Sequence, residues 1–233
     1  MITSELDGVI FDADVDAIVV TVNTVGEMGA GLALEARLRF PEMFVAYRAQ
    51  CESGSLDVGT LWLWSGSTPQ VLCFPTKRHW RNPSQVRYLR SGLERLTENY
   101  GNWGLRRVAL PHLGADRGGL DWTEQVRPLV YELLDPLPDL DVTVYGYSPR
   151  APERAFHQLR SRLQEMSVAA FAERSGLRRR EAELVHGAVL GAPHPNLSVL
   201  HETDGIGIAT LERVYTFLRS ADLGPRQDVL PLD

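Results

Sequence analysis

The sequence predicts an α/β protein, with a mixed central sheet covered by helices on both faces as three layers and followed by a small, mainly helical C-terminal region. Three observations predict it. A β-branched run ending in Val19-Val20-Thr21-Val22 reads as a buried strand. A glycine-rich loop and a stretch of helical spacing follow at once, making a strand–loop–helix unit. Strand-like and helix-like segments then alternate as far as residue 148, and beyond that point no segment reads as a strand.

The elements follow in order. Residues 8–22 contain the first strand, which ends at Asn23. Leu32, Ala33, Ala36 and Phe40 lie at helical spacing, and Pro41 is expected to break that helix. Further strands are expected at residues 60–64, 71–74, 107–110 and 142–147, with helices at 42–51, 84–100 and 122–134 between them. Ser148-Pro149-Arg150-Ala151-Pro152 reads as a linker, which gives a first domain over residues 1–148 and a helical region over 151–233. In that region helical periodicity appears at 153–167, 178–190 and 207–221.

Composition narrows the function. The 233 residues carry 30 acidic against 24 basic side chains, a net charge of −6, which argues against indiscriminate coating of nucleic acid. No apolar run approaches the roughly 18 residues of a membrane span, and residues 1–5 lack the basic start of a secretory signal, so a cytoplasmic protein without a membrane partner is expected. Cys51 and Cys73 suggest free thiols rather than a disulfide or a zinc site. His112, His157, His186, His194 and His201 are scattered without ligand spacing, so neither a metal nor a cofactor is expected.

Against the acidic balance, residues 77–95 form a local basic patch: Lys77, Arg78, Arg81, Arg87, Arg90 and Arg95 face the single acid Glu94, with His79, Trp80 and Tyr88 interleaved. Lys77 is the only lysine in the chain. A lysine can lose its proton and act as nucleophile or base, whereas an arginine stays charged.

Two loops suit an anionic ligand. Gly26-x-x-Gly29-x-Gly31 lies between a strand and a helix, where glycines allow close backbone approach and the helix N-terminus offers free N–H groups. The spacing is neither the dinucleotide-binding pattern nor a P-loop. His112-Leu113-Gly114-Ala115-Asp116-Arg117-Gly118-Gly119-Leu120-Asp121-Trp122 forms a second loop of the same kind. In an open α/β sheet both would converge at the C-terminal ends of the strands and clamp a diphosphate from two sides.

Four blocks in this order carry a resemblance: residues 22–33 with their Asn-Thr-Val-Gly start, Phe40-Pro41-x-x-Phe44-x-x-Tyr47, Phe74-Pro75-Thr76-Lys77-Arg78-His79-Trp80-Arg81, and Leu113-Gly114 with Gly118-Gly119-Leu120-Asp121-Trp122. Residues 1–148 thereby resemble a macrodomain of the DarG type, the antitoxin half of the DarT–DarG toxin–antitoxin pair. The resemblance implies a macrodomain fold and an enzyme that removes ADP-ribose from DNA bases, thymidine in single-stranded DNA above all, reversing a DarT-type toxin. It implies that Lys77 is catalytic, either by attack on the anomeric carbon or by stabilising the opened ribose. It assigns ADP-ribose to Ile10, Asn23, Gly26, Met28, Gly29, Ala30, Gly31, Leu113, Gly114, Ala115, Asp116, Arg117, Gly118, Gly119 and Leu120, largely through backbone N–H groups at the diphosphate. Thr24, Arg78, His79, Trp80 and Arg81 would meet DNA, since a splayed base favours an aromatic or guanidinium face. Residues 151–233 would bind the toxin or pack as a helical appendage.

Three departures from the pattern bear on mechanism. Val9 follows Gly8 where many macrodomains place an acid for the adenine amino group, which leaves that task to the Ile10 backbone or to another acid such as Asp7, or weakens adenine recognition. Ala115-Asp116-Arg117 replaces a more glycine-rich stretch and brings two charges to the second loop. Gly118 stands where protein-directed relatives carry a catalytic aspartate, with Asp116 and Asp121 nearby as substitutes; this favours a DNA-directed enzyme over a hydrolase of ADP-ribosylated carboxylates. A binding module without turnover is the alternative class, and Lys77 distinguishes the two.

Overall fold

The computed structural model describes residues 1–220, and the chain divides into two compact units, Met1–Ser148 and the chain from Pro149 onward. The last residue of the helix expected at 207–221 lies outside the described residues. The first unit is built on six strands: β1 (Ile2–Gly8), β2 (Ala17–Val22), β3 (Trp62–Trp64), β4 (Gln70–Pro75), β5 (Arg107–Pro111) and β6 (Asp141–Tyr147). They form one sheet in the order β1-β6-β5-β2-β4-β3. All pairs are parallel except β3 with β4, so the sheet is mixed as expected.

The central strand fixes the layers. Its side chains alternate, and both faces are dry: Ala17 and Val19 join one core, Ile18, Val20 and Val22 the other. Helices α1 (Gly31–Arg39) and α2 (Pro41–Glu52) cover the Ile18 face with Ala36, Met43 and Tyr47. Helices α3 (Val86–Asn99) and α4 (Arg127–Leu134) cover the other with Leu89, Leu93, Leu96, Leu129, Val130 and Leu134. Pro41 does more than break α1: it is the first residue of α2, where its missing N–H costs nothing, so the two helices follow each other directly.

Several expected boundaries change. Within residues 8–22 only Ala17–Val22 is a strand; Ile10–Asp12 is a 3-10 turn, and a separate strand, Ile2–Gly8, precedes it. That strand is an edge strand with most of its residues exposed, and Glu5 and Asp7 interrupt its apolar pattern. The strand expected at 60–64 shortens to Trp62–Trp64. The helix expected at 122–134 opens with a π turn, Trp122–Val126, before α4.

The second unit contains α5 (Arg154–Gln164), α6 (Val168–Ser175), α7 (Arg179–Leu190), α8 (Ser198–Glu202) and α9 (Ile208–Arg219), mainly helical as expected. Sequence periodicity missed α6 and α8, which are too short to display it. Phe156, Phe171, Val185, Leu200 and Phe217 are among its buried side chains. Glu153, 1% exposed, accepts the Leu197 N–H through Oε2 at 2.7 Å, so its burial is matched by a main-chain partner.

Gly92 tests the sheet–helix contact. A Cβ added there would stand 2.4 Å from Cζ of Phe74 on β4, so α3 approaches the strand closely because this position has no side chain. Gly92→Ala gains about 1 kcal/mol of helix propensity but overpacks the ring by about 1–3 kcal/mol. The expected outcome is a lower denaturation midpoint in a urea titration with an unchanged slope.

Candidate active site

Because β1, β2, β4, β5 and β6 run parallel, their C-terminal ends share one edge, and the loops that follow them gather there. Three of these loops make direct contact. Thr24, in the loop after β2, donates both its N–H (3.0 Å) and its hydroxyl (3.1 Å) to the Arg78 carbonyl, in the loop after β4. Lys77 in turn donates its amine to the Arg117 carbonyl, in the loop after β5, at 2.9 Å. The Arg117 side chain lies over the first loop: its Cδ and Nε are each 3.8 Å from where a Cβ on Gly31 would stand.

The first loop is shaped by Asn23, which is 6% exposed. Its Oδ1 accepts the N–H groups of Val25 (3.1 Å) and Glu27 (3.2 Å), and its Nδ2 donates to the Glu27 carbonyl at 2.6 Å. The amide therefore holds a turn that the apolar neighbourhood could not. Tyr47, fully buried on α2, donates its hydroxyl to the Asn23 carbonyl at 2.8 Å. Burial pushes the Tyr47 phenol far above its ordinary range, so it stays a donor. Gly26 sits at φ +81°, which a side chain would strain. No side chain caps the N-terminus of α1 and no acid occupies its first turn, so the positive end of the helix faces the loop.

The second loop turns tightly on glycine and on Ser84. Gly114 (φ +66°) and Gly119 (φ +75°) adopt left-handed backbone, and Asp116 does so too at φ +47°. Ser84, 4% exposed, donates its N–H to the Gly118 carbonyl at 2.9 Å, and its Cβ stands 3.1 Å and 3.2 Å from Cβ positions on Gly114 and Gly118. Its hydroxyl lies 2.6 Å from the Gly118 position, so an aspartate there has no space unless Ser84 moves. Asp121 is occupied otherwise: its Oδ1 accepts the Glu124 N–H at 2.7 Å as a helix cap.

Lys77 is half-buried, and its amine is held below the ordinary lysine range by burial first and by the Arg117 guanidinium second. An amine so placed, with a carbonyl fixing its direction, has a larger unprotonated fraction at neutral pH than a free lysine. Beyond it, His79 and Trp80 stack at 5.5 Å with 25° between planes, and the Arg81 guanidinium lies 4.1 Å from the indole centroid. Trp80 is 49% exposed, so the indole serves the surface and not the core edge. Arg78 is turned to Asp57 at 3.1 Å, an exposed pair of small energetic weight.

The sequence-derived residues thus separate into groups. Asn23, Thr24, Gly31, Lys77, Arg78 and Arg117 meet through the contacts above, with Gly26, Gly29 and Ala30 in the same first loop. Gly114, Ala115, Asp116, Gly118 and Gly119 form the turn beneath Arg117. Met28, Leu113 and Ile10 are buried, so any ligand contact from them is through the main chain, and Leu120 is partly buried against a core. The Asp7 Oδ1 crowds the Gly146 position beside His112, in a cleft with Glu5, Trp122 and Arg127. Tyr47 and Ser84 were absent from the sequence-derived set; each acts through a buried contact that only the fold brings about.

Comparison with known proteins follows the same lines. The Macro domain family model matches residues 19–128. The macrodomain of DarG from Mycobacterium tuberculosis is 40% identical, with a TM-score of 0.59 over 62% of this chain and 97% of that one. The chain belongs to the macrodomain family, in its DarG type. A DNA ADP-ribosyl glycohydrolase of Thermus aquaticus is 41% identical over 142 residues, 59% of this chain and 39% of that protein. DarTG of Thermosipho africanus, solved in complex with ADP-ribose, is 34% identical with a TM-score of 0.58, covering 61% of this chain and 40% of that one. The chain spans about two-fifths of the length of the curated relatives it matches. The macrodomain's three-layer fold is that of these structures.

The buried Tyr47 hydroxyl gives a direct test of how the first loop is held. Tyr47→Phe leaves the Asn23 carbonyl only the weak Cys51 thiol donor at 4.0 Å and is expected to cost about 1–2 kcal/mol of stability, read as a lowered midpoint in chemical denaturation.

Proposed function

We propose that this chain is a glycohydrolase that removes ADP-ribose from ADP-ribosylated DNA bases, with thymidine in single-stranded DNA as the substrate, and so reverses a DarT-type toxin. The observation that carries the reading is the position of Lys77: the chain's single lysine projects its amine to the point where three loops meet, bonded to the Arg117 carbonyl. A module that only holds ADP-ribose needs the glycine loops but no titratable amine at the scissile bond. The loops after β2 and β5 would take the diphosphate on main-chain N–H groups and the α1 N-terminus. Lys77 would then act at the anomeric carbon of the distal ribose.

The DNA side of the reading rests on His79, Trp80 and Arg81. A half-exposed indole, stacked on an imidazole and covered by a guanidinium, next to the lysine, is a platform for an unpaired base. A duplex would hide the modified base, so a single strand suits the site better. The names of the relatives, DNA ADP-ribosyl glycohydrolase among them, support the same substrate class.

An oligonucleotide carrying ADP-ribosylated thymidine tests the proposal. The intact protein is expected to release ADP-ribose, and Lys77→Ala to lower turnover by at least about 100-fold, the scale of a lost acid–base or nucleophilic group, with ADP-ribose affinity nearly unchanged. Binding without turnover by the intact protein would favour the holding module, and preference for an ADP-ribosylated protein would overturn the DNA assignment.

The helical unit from Pro149 is proposed to bind the toxin, adding sequestration to reversal. The macrodomain fold over residues 1–148 is complete without it, and the helical unit exposes Arg178 at the N-cap of α7 and Arg179 in the first turn of that helix. In a co-purification with a DarT-type toxin, the full chain should retain the toxin and residues 1–148 alone should not; equal retention would sink this assignment.

A further inference from the structure

We propose that Arg117 joins substrate recognition to the lysine: its guanidinium, folded over Gly31, takes a phosphate oxygen of the bound diphosphate, while its main-chain carbonyl aims the Lys77 amine. The inference rests on the glycohydrolase reading above and deepens it.

Three observations carry it. The first is place. Arg117 Cδ and Nε lie 3.8 Å from the Cβ position on Gly31, the first residue of α1, where uncapped N–H groups make the seat for an anion. Gly31 has φ +56°, a left-handed backbone that favours glycine, and even a Cβ there would meet Arg117 only at ordinary van der Waals distance. The second is availability. Arg117 is exposed and makes no ion pair among the described residues, whereas neighbouring Arg78 is engaged with Asp57. A free guanidinium beside a helix N-terminus matches a phosphate with two parallel donors, a geometry lysine cannot supply.

The third is the backbone beneath it. Asp116 is held at φ +47°, a left-handed conformation that few non-glycine residues adopt, aspartate among them. Gly118 donates its N–H to the Ala115 carbonyl at 2.8 Å, Gly119 donates to Asp116 at 3.1 Å, and Ser84 holds the Gly118 carbonyl. This turn presents the Arg117 carbonyl to Lys77 Nζ at 2.9 Å and sends the side chain the other way, over Gly31. One residue thus touches the diphosphate seat with its head and the amine with its backbone. Of the charged groups around the amine, Arg117 is the one that depresses its proton affinity; Arg78, next in sequence, is directed to Asp57.

The full chain with Arg117→Ala and Arg117→Lys separates the two functions. The probes are free ADP-ribose, measured by calorimetry at two salt concentrations, and the ADP-ribosylated oligonucleotide, measured as turnover against pH. Arg117→Ala is expected to weaken ADP-ribose binding by about 10-fold or more, the scale of a lost charge-assisted hydrogen bond, and to reduce its salt dependence. It should also move the pH limb that reports Lys77 upward, since the nearby positive charge is gone. Arg117→Lys keeps the charge and should hold the pH limb in place while recovering only part of the affinity. A merely structural role would lower both activities without moving the limb. Binding unchanged within twofold in Arg117→Ala would overturn the proposal, and so would tighter binding, which would mark the side chain as an obstruction in the cleft. Failure of the intact protein to bind ADP-ribose would instead overturn the functional reading on which it rests.

Discussion

Strand direction is the constraint on which the rest depends. β2 is buried on both faces and pairs in parallel with β4 and β5, so each neighbouring strand must be reached by a return path across a face of the sheet. Those return paths are the helices. The outbound halves of the connections are then forced to one edge, and the glycine loop after β2, the lysine loop after β4 and the tight turn after β5 have no other place to lie. The meeting of Thr24 with Arg78 and of Lys77 with Arg117 follows from this geometry before any ligand is considered.

Polar groups at that edge are satisfied largely by main chain. Asn23 spends its amide on Val25 and Glu27, Thr24 bonds a carbonyl, and so does Lys77. The loops are therefore held in shape by backbone partners, while the Arg117 side chain lies over Gly31 and Trp80 stays half exposed beside Arg81. Lys77, Arg78, Arg81 and Arg117 thus gather near one edge of a chain of net charge −6, with Asp57 paired to Arg78 and Asp116 next to Arg117 in sequence.

Much of this was legible in the sequence where the physics is local. The run from Ile18 to Val22 reads as a buried strand because five consecutive β-branched residues leave little alternative, and the glycines after it announce a turn. The four blocks in order carried the family. What was not legible depends on partners distant in the chain. β1 is acidic and exposed along much of its length, and it is a strand because it pairs with β6, whose residues lie more than a hundred positions away. α6 and α8 are one to two turns long and show no period. Tyr47 bonding the Asn23 carbonyl, Ser84 wedged under Gly114 and Gly118, and Asp121 serving as a helix cap are tertiary facts, invisible to spacing.

Having one lysine in 233 residues gives the chain an unusual property as a reagent. In most proteins an amine-selective chemical label distributes over many side chains and reports an average. Here it has one side-chain address, and that address is the hydrogen-bonded, half-buried Lys77 amine, whose lowered proton affinity favours the reactive free base. The native sequence thus carries a single lysine probe: followed by peptide mapping, apart from the Met1 α-amine, the rate at which Lys77 takes up a label reads the state of the site without any cysteine having to be introduced.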